Sequence, residues 1–179
     1  MKITNYIQKL LGRCMCSYPS QAIPIDKGIC KPDTVCVIDY KETIPFVPNI
    51  QDGHVIKVYD GDTITIASKL PYADSPLYRF QVRLKDIDCA EIKGKTEDEI
   101  FIALCAKKEM ELMVMQKRVT LKNISIEKYG RLLADVFVSD VHVNSHMLKN
   151  RLAVPYDGKT KKSPANWKTY HHNGTMDSS

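Results

Sequence analysis

Acidic side chains crowd two short stretches near the middle of the chain. Asp60 and Asp62 bracket Gly61, and Asp86, Asp88 and Glu91 follow closely behind Arg83. Between these stretches Arg79, Gln81 and Arg83 alternate with Phe80, Val82 and Leu84. In an extended segment this spacing puts two guanidiniums on one face and the apolar side chains on the other. If the fold joins the two acidic loops, several carboxylates meet beside an arginine. Uncompensated like charge at that density is costly, and a bound hard cation is a common remedy. Oxygen donors without a His or Cys pairing suit calcium or magnesium rather than zinc. Plainer roles fit each residue taken singly. Asp60-Gly61-Asp62-Thr63 has the composition of a turn. Arg83 with Asp88 could be a surface ion pair worth roughly 0 to 1 kcal/mol. Glu91 could belong to a solvated charged loop with Lys93 and Lys95, and Arg131 could be an exposed strand residue.

The elements that must position these groups are short. Residues 54–58, 63–67 and 78–84 have β-type alternation, and the first two are joined through Tyr59-Asp60-Gly61-Asp62, a tight-turn sequence. The spacing predicts a helix over 97–117, with Ile100, Phe101, Leu104, Cys105, Leu112 and Met115 along its apolar stripe. Residues 119–124 and 132–138 read as further strands, and 144–151 as a second helix. Five strands with a helix after the third imply an α+β, mainly β protein: a closed Greek-key barrel of the OB type with two to three helices. The expected organisation is an extension over 1–49, a barrel domain over 50–157, and a loose basic tail over 158–179.

Three motifs in order carry a family likeness. They are the strand-DGDT-strand hairpin within 54–67, RLKDIDCAE at 83–91, and EKYGR at 127–131 followed by LLADVF. Through them residues 52–157 resemble the staphylococcal-nuclease-like (thermonuclease) family. The resemblance implies calcium held by Asp62 and Asp88, with the backbone carbonyl of Cys89. It implies phosphate binding by Arg83 and Arg131, a catalytic glutamate at Glu91, and substrate contacts from Lys128, Tyr129 and Tyr156. The implied activity is calcium-dependent hydrolysis of DNA and RNA with little sequence specificity and a preference for single strands. It cuts the bond from phosphorus to the 5′ oxygen and leaves 3′-phosphate ends. The family's usual Thr-Pro is Cys89-Ala90 here, which keeps the carbonyl and the spacing but loses the proline's rigidity. The competing reading is a barrel of this type that binds nucleic acid or protein without cutting it. The presence of Asp62, Arg83, Asp88, Glu91 and Arg131 together favours catalysis.

Composition sets the outer bounds. The chain has 179 residues, 44% hydrophobic and 26% charged, enough apolar surface for a folded domain and too much for a disordered one. No run approaches the roughly 18 to 20 apolar residues of a membrane-spanning helix, and the first eleven residues lack the apolar core of a secretory signal. The net charge of +5 divides as +2 over 1–49, zero over 50–157 and +3 over 158–179, so the excess lies in the two ends. In the extension, Ile3, Ile7, Leu10 and Leu11 share a helical face ahead of Cys14 and Cys16. A short helix packed on the core fits this pattern, and so does a peripheral membrane contact with acylated cysteines. Cys14, Cys16, Cys30 and Cys36 match no common zinc-ribbon spacing. A monomer in a reducing, intracellular setting is the expectation.

Overall fold

A computed structural model of the chain describes residues 38–159 and 162–176. The expectations for the helix near residue 3 and for Cys14, Cys16, Cys30 and Cys36 fall outside the described residues. The chain divides into two units, Met1–Thr43 and Ile44–Ser179. In the first, Tyr40–Glu42 forms a 3-10 turn. Its N-terminus is capped by Asp39, which accepts from the Lys41 N–H at 3.0 Å, while Glu42 accepts from the Asp39 N–H at 3.1 Å.

The second unit holds the strands β1 (Asp52–Val58), β2 (Thr63–Ser68), β3 (Tyr78–Leu84), β4 (Ile87–Cys89), β5 (Arg118–Ile126), β6 (Leu132–Val138), β7 (Val141–His142) and β8 (Ala153–Pro155). Its helices are α1 (Glu97–Val114), α2 (Val143–Lys149) and α3 (Trp167–Asn173). The main sheet runs β3-β2-β1-β5-β6-β7, and β3 also pairs with β6 in parallel. That extra pairing closes β1, β2, β3, β5 and β6 into a five-stranded barrel of the OB type, leaving no long open edge. Its interior is filled by Val55, Val58, Ile64, Ile66, Val82, Leu84, Val119, Leu121, Leu132, Ala134 and Val136, all buried.

Two irregularities shape the barrel. Register shifts between Val55 and Lys57; Val55 stands opposite Ile66 of β2, while its N–H donates to the Lys117 carbonyl and its carbonyl accepts from the Gln116 N–H on the other side. This bulge lets Val55 and Val58, three residues apart, both point inward. A second shift lies between Lys122 and Ser125, with Asn123 at φ 51°, a conformation asparagine tolerates. The strand therefore continues to Ile126, past the end at 124 that alternation alone suggests.

The long helix starts where expected. Thr96 caps it by accepting from the Glu99 N–H at 3.2 Å, and Glu97, Asp98 and Glu99 complement the positive helix N-terminus. It stops at Val114 rather than 117, because Gln116 adopts φ 57° and donates its N–H to Val55. Its buried face also differs from the expected stripe. Ile102, Ala103, Ala106, Met110 and Val114 are buried, while Phe101, Leu104 and Leu112 are exposed. Small residues face the barrel because the helix approaches it closely. The expected loose tail after residue 158 likewise contains α3, with Asn166 capping its N-terminus and Gly174, at φ 78°, ending it. Trp167 and Tyr170 are buried, and the Tyr170 hydroxyl donates to the Ala153 carbonyl at 3.2 Å. Among the described residues no helix is long and apolar enough to cross a membrane.

Candidate active site

Arg83 is the centre of the site. On β3 it pairs with Thr63 of β2 on one side and Leu133 of β6 on the other. Its Nη1 donates to Asp62 Oδ1 at 2.6 Å and its Nη2 to Asp88 Oδ1 at 2.5 Å. One planar fork thus joins the first hairpin to the segment after β3, geometry a lysine could not reproduce. Both carboxylates are buried, Asp62 3% exposed and Asp88 7%. Asp62 also accepts from the Thr63 hydroxyl at 2.9 Å and from the Cys89 N–H at 3.0 Å.

The hairpin holds Asp62 through its backbone. The Tyr59 N–H donates to the Thr63 carbonyl at 2.9 Å, the Asp62 N–H to Asp60 Oδ1 at 3.1 Å, and the Leu84 N–H to the Asp62 carbonyl at 2.8 Å. Gly61 sits where α1 and β4 converge. A Cβ there would lie 2.7 Å from Ala106 Cβ and 2.8 Å from Cys89 Sγ. Gly61→Ala should therefore destabilise the protein by about 1 to 3 kcal/mol through overpacking. Urea unfolding would measure this, and a loss below about 0.5 kcal/mol would show that the helix yields freely.

Negative charge outweighs positive in this pocket. Burial first, then the Asp60 and Asp88 carboxylates, push Asp62 up to about 7, against the pull of Arg83 and the Cys89 N–H. Burial alone would lower Arg83, but Asp62, Asp88 and Asp60 raise it, so it remains charged. Burial and the same three carboxylates also push the Cys89 thiol well up, which makes it inert as a nucleophile.

Other segments complete a cleft of about 820 Å³. Its lining includes Glu91, Arg131, Lys128, Tyr129 and Tyr156 alongside Asp62, Arg83, Asp88 and Cys89, so every site residue expected from the sequence faces one cavity. Glu91 is exposed at the rim. Arg131 donates through Nε to Glu127, an ion pair across the tight Glu127–Arg131 turn, in which Gly130 takes φ 83°. The segment after β3 is fastened from behind. Asp86 takes φ 61° and its backbone carbonyl accepts from the Tyr156 N–H at 3.0 Å, and β4 pairs with β8. Buried Asn144 donates to the Lys85 carbonyl at 2.9 Å and accepts from the Val136 N–H at 3.0 Å, which pins the loop to β6.

Sequence reasoning missed Glu127 as the partner of Arg131 and missed Tyr59, Lys85 and Lys159, which also line the cleft. The acid four residues before the arginine was visible, but only the turn brings the two together.

A hard cation fits the donor set. Arg83 bridges the two buried carboxylates, and around Asp62 burial and the neighbouring acids outweigh its pull. Among the described residues no three or more His, Cys, Asp or Glu side chains form a ready metal cage. Water and a bound phosphate would have to supply the remaining oxygens that calcium takes.

A family model described as staphylococcal nuclease homologue matches residues 81–173, slightly more than half of the chain. No curated protein matches it.

Proposed function

The chain belongs to the staphylococcal nuclease homologue family, and from that membership we propose that its cleft hydrolyses phosphodiester bonds of DNA and RNA with calcium, leaving 3′-phosphate ends. The observation that carries the reading is the Arg83 fork to two buried carboxylates, in a cleft that Glu91 and Arg131 also line. Asp62, Asp88 and the Cys89 carbonyl would hold the calcium, which when bound polarises a phosphoryl oxygen and acidifies nearby water.

The chain's own groups do the rest. Arg83 and Arg131 hold phosphoryl oxygens with planar donors and stabilise the extra negative charge of the five-coordinate phosphorus. Glu91, on the solvent side, orients the attacking water and takes up its proton. Lys128, Tyr129 and Tyr156 contact the nucleotides, with contacts that do not read base identity. Asp62 and Asp88 keep Arg83 extended into the cleft before substrate arrives, which reduces the ordering cost on binding.

The test is direct. Full-length protein with millimolar calcium should degrade single-stranded DNA and RNA to fragments with 3′-phosphate ends, and a chelator should stop it. Failure to cleave either polymer, while still binding it, would leave the non-catalytic nucleic-acid module as the correct reading. Neither cleavage nor binding would point to a protein partner.

A further inference from the structure

We infer that Tyr59 is a second base platform of the cleft, so that a single strand lies across Arg83 with one base stacked on Tyr59 and another on Tyr129. The inference rests on the nuclease reading above and specifies how that site takes its substrate.

The sheet places the two rings. Arg83 pairs with Thr63 on one side and Leu133 on the other. The turn ending at Thr63 carries Tyr59, and the turn ending just before Leu133 carries Tyr129. They lie on opposite sides of Arg83, each one strand away; because β2 runs antiparallel and β6 parallel to β3, the two turns also leave Arg83 toward opposite ends of β3, and neighbouring strands are about 4.8 Å apart. Both tyrosines line the cleft and are open to solvent, Tyr59 59% exposed and Tyr129 73%.

Each ring also has a lysine beside it. Lys57 Nζ lies 6.0 Å from the centre of the Tyr59 ring, and Lys128 Nζ lies 4.9 Å from that of Tyr129. Both rings offer an aromatic surface for a base, and Lys128, which lines the cleft where Lys57 does not, adds an ammonium for the phosphate backbone, the combination used by sequence-tolerant single-strand sites. The Tyr59 backbone is fixed by its hydrogen bond to Thr63, so the ring stands on a rigid hairpin. Pockets for one drug-sized ligand start at roughly 300 Å³. At about 820 Å³ the cleft therefore has room for more than one nucleotide. A duplex cannot splay its bases onto two such rings without unpairing, so the arrangement selects single strands.

Binding of a fluorescein-labelled octathymidylate tests this, by anisotropy with calcium in the Glu91→Gln background to suppress cleavage. Tyr59→Ala should weaken binding about tenfold, and Tyr59→Phe less than twofold, since stacking needs the ring and not the hydroxyl. Octamers lacking one base at successive positions should include one for which the Tyr59→Ala penalty disappears. Equal binding by Tyr59→Ala and its parent overturns the inference and leaves the nuclease reading standing. So does a penalty that persists for every base-deleted probe, which would mark a role in folding or charge. If the parent binds no octathymidylate, the inference falls together with the reading beneath it.

Discussion

On the proposed chemistry Arg83→Ala will lower calcium-dependent cleavage roughly 10³-fold, because it removes one of the two planar donors proposed to hold the transition-state charge. The same substitution will destabilise the protein in chelator by about 3 kcal/mol, since it strips two buried carboxylates of the guanidinium they share. Asp62, already pushed up to about 7, will partly absorb that loss by taking a proton, which places the cost at the lower end of what breaking a buried ion pair entails. Calcium should then restore more stability to Arg83→Ala than it adds to wild type, because it replaces a missing positive charge instead of joining one. Urea unfolding in chelator and in calcium reads this difference. Arg83→Lys should keep much of the stability and little of the activity, as a point charge cannot bridge both acids and a phosphate at once. Cleavage by Arg83→Ala within tenfold of wild type would remove Arg83 from the chemistry.

Glu91→Gln should behave in the opposite way. The rate should fall about 10²- to 10⁴-fold, the range for losing a positioned proton acceptor. Stability should stay within about 0.5 kcal/mol, because the residue is exposed at the cleft rim and the substitution preserves its size. Binding of single-stranded DNA should persist or tighten slightly as one negative charge leaves the cleft. Single-turnover cleavage, anisotropy and thermal melting on the same preparation separate the three quantities. A rate unchanged by Glu91→Gln would assign water activation to another group.

Much of the barrel was legible because period-two alternation survives in strands with one face buried. The bounds of β3 and β6 coincide with those expected from Phe80, Val82 and Leu84 and from the run after Arg131. The spacing of Asp62, Arg83 and Asp88 was legible for a related reason: each lies immediately beside or within a strand, so their order along the chain translates into proximity at one rim. Helix α1 was not read correctly in detail. Its face is chosen by Ala103 and Ala106, which permit the close approach seen at Gly61, whereas a pattern search rewards large residues such as Phe101 and Leu112. Helix α3 was overlooked because seven residues with one tryptophan and one tyrosine carry too little period to register. Tyr59 looked like part of a turn, and only its place in the cleft reveals an aromatic surface.

The pairing of β4 with β8 also fixes when the cleft can exist. Ile87, Asp88 and Cys89 are matched to Pro155, Val154 and Ala153, and Asp86 is tied to Tyr156. During synthesis the chain emerges N-terminus first. The acids and Arg83 therefore leave the ribosome long before the strand that braces them, and the cleft gains its floor only once that strand has followed. The cleft is therefore a late product of folding, complete only once β8 has emerged and paired with β4.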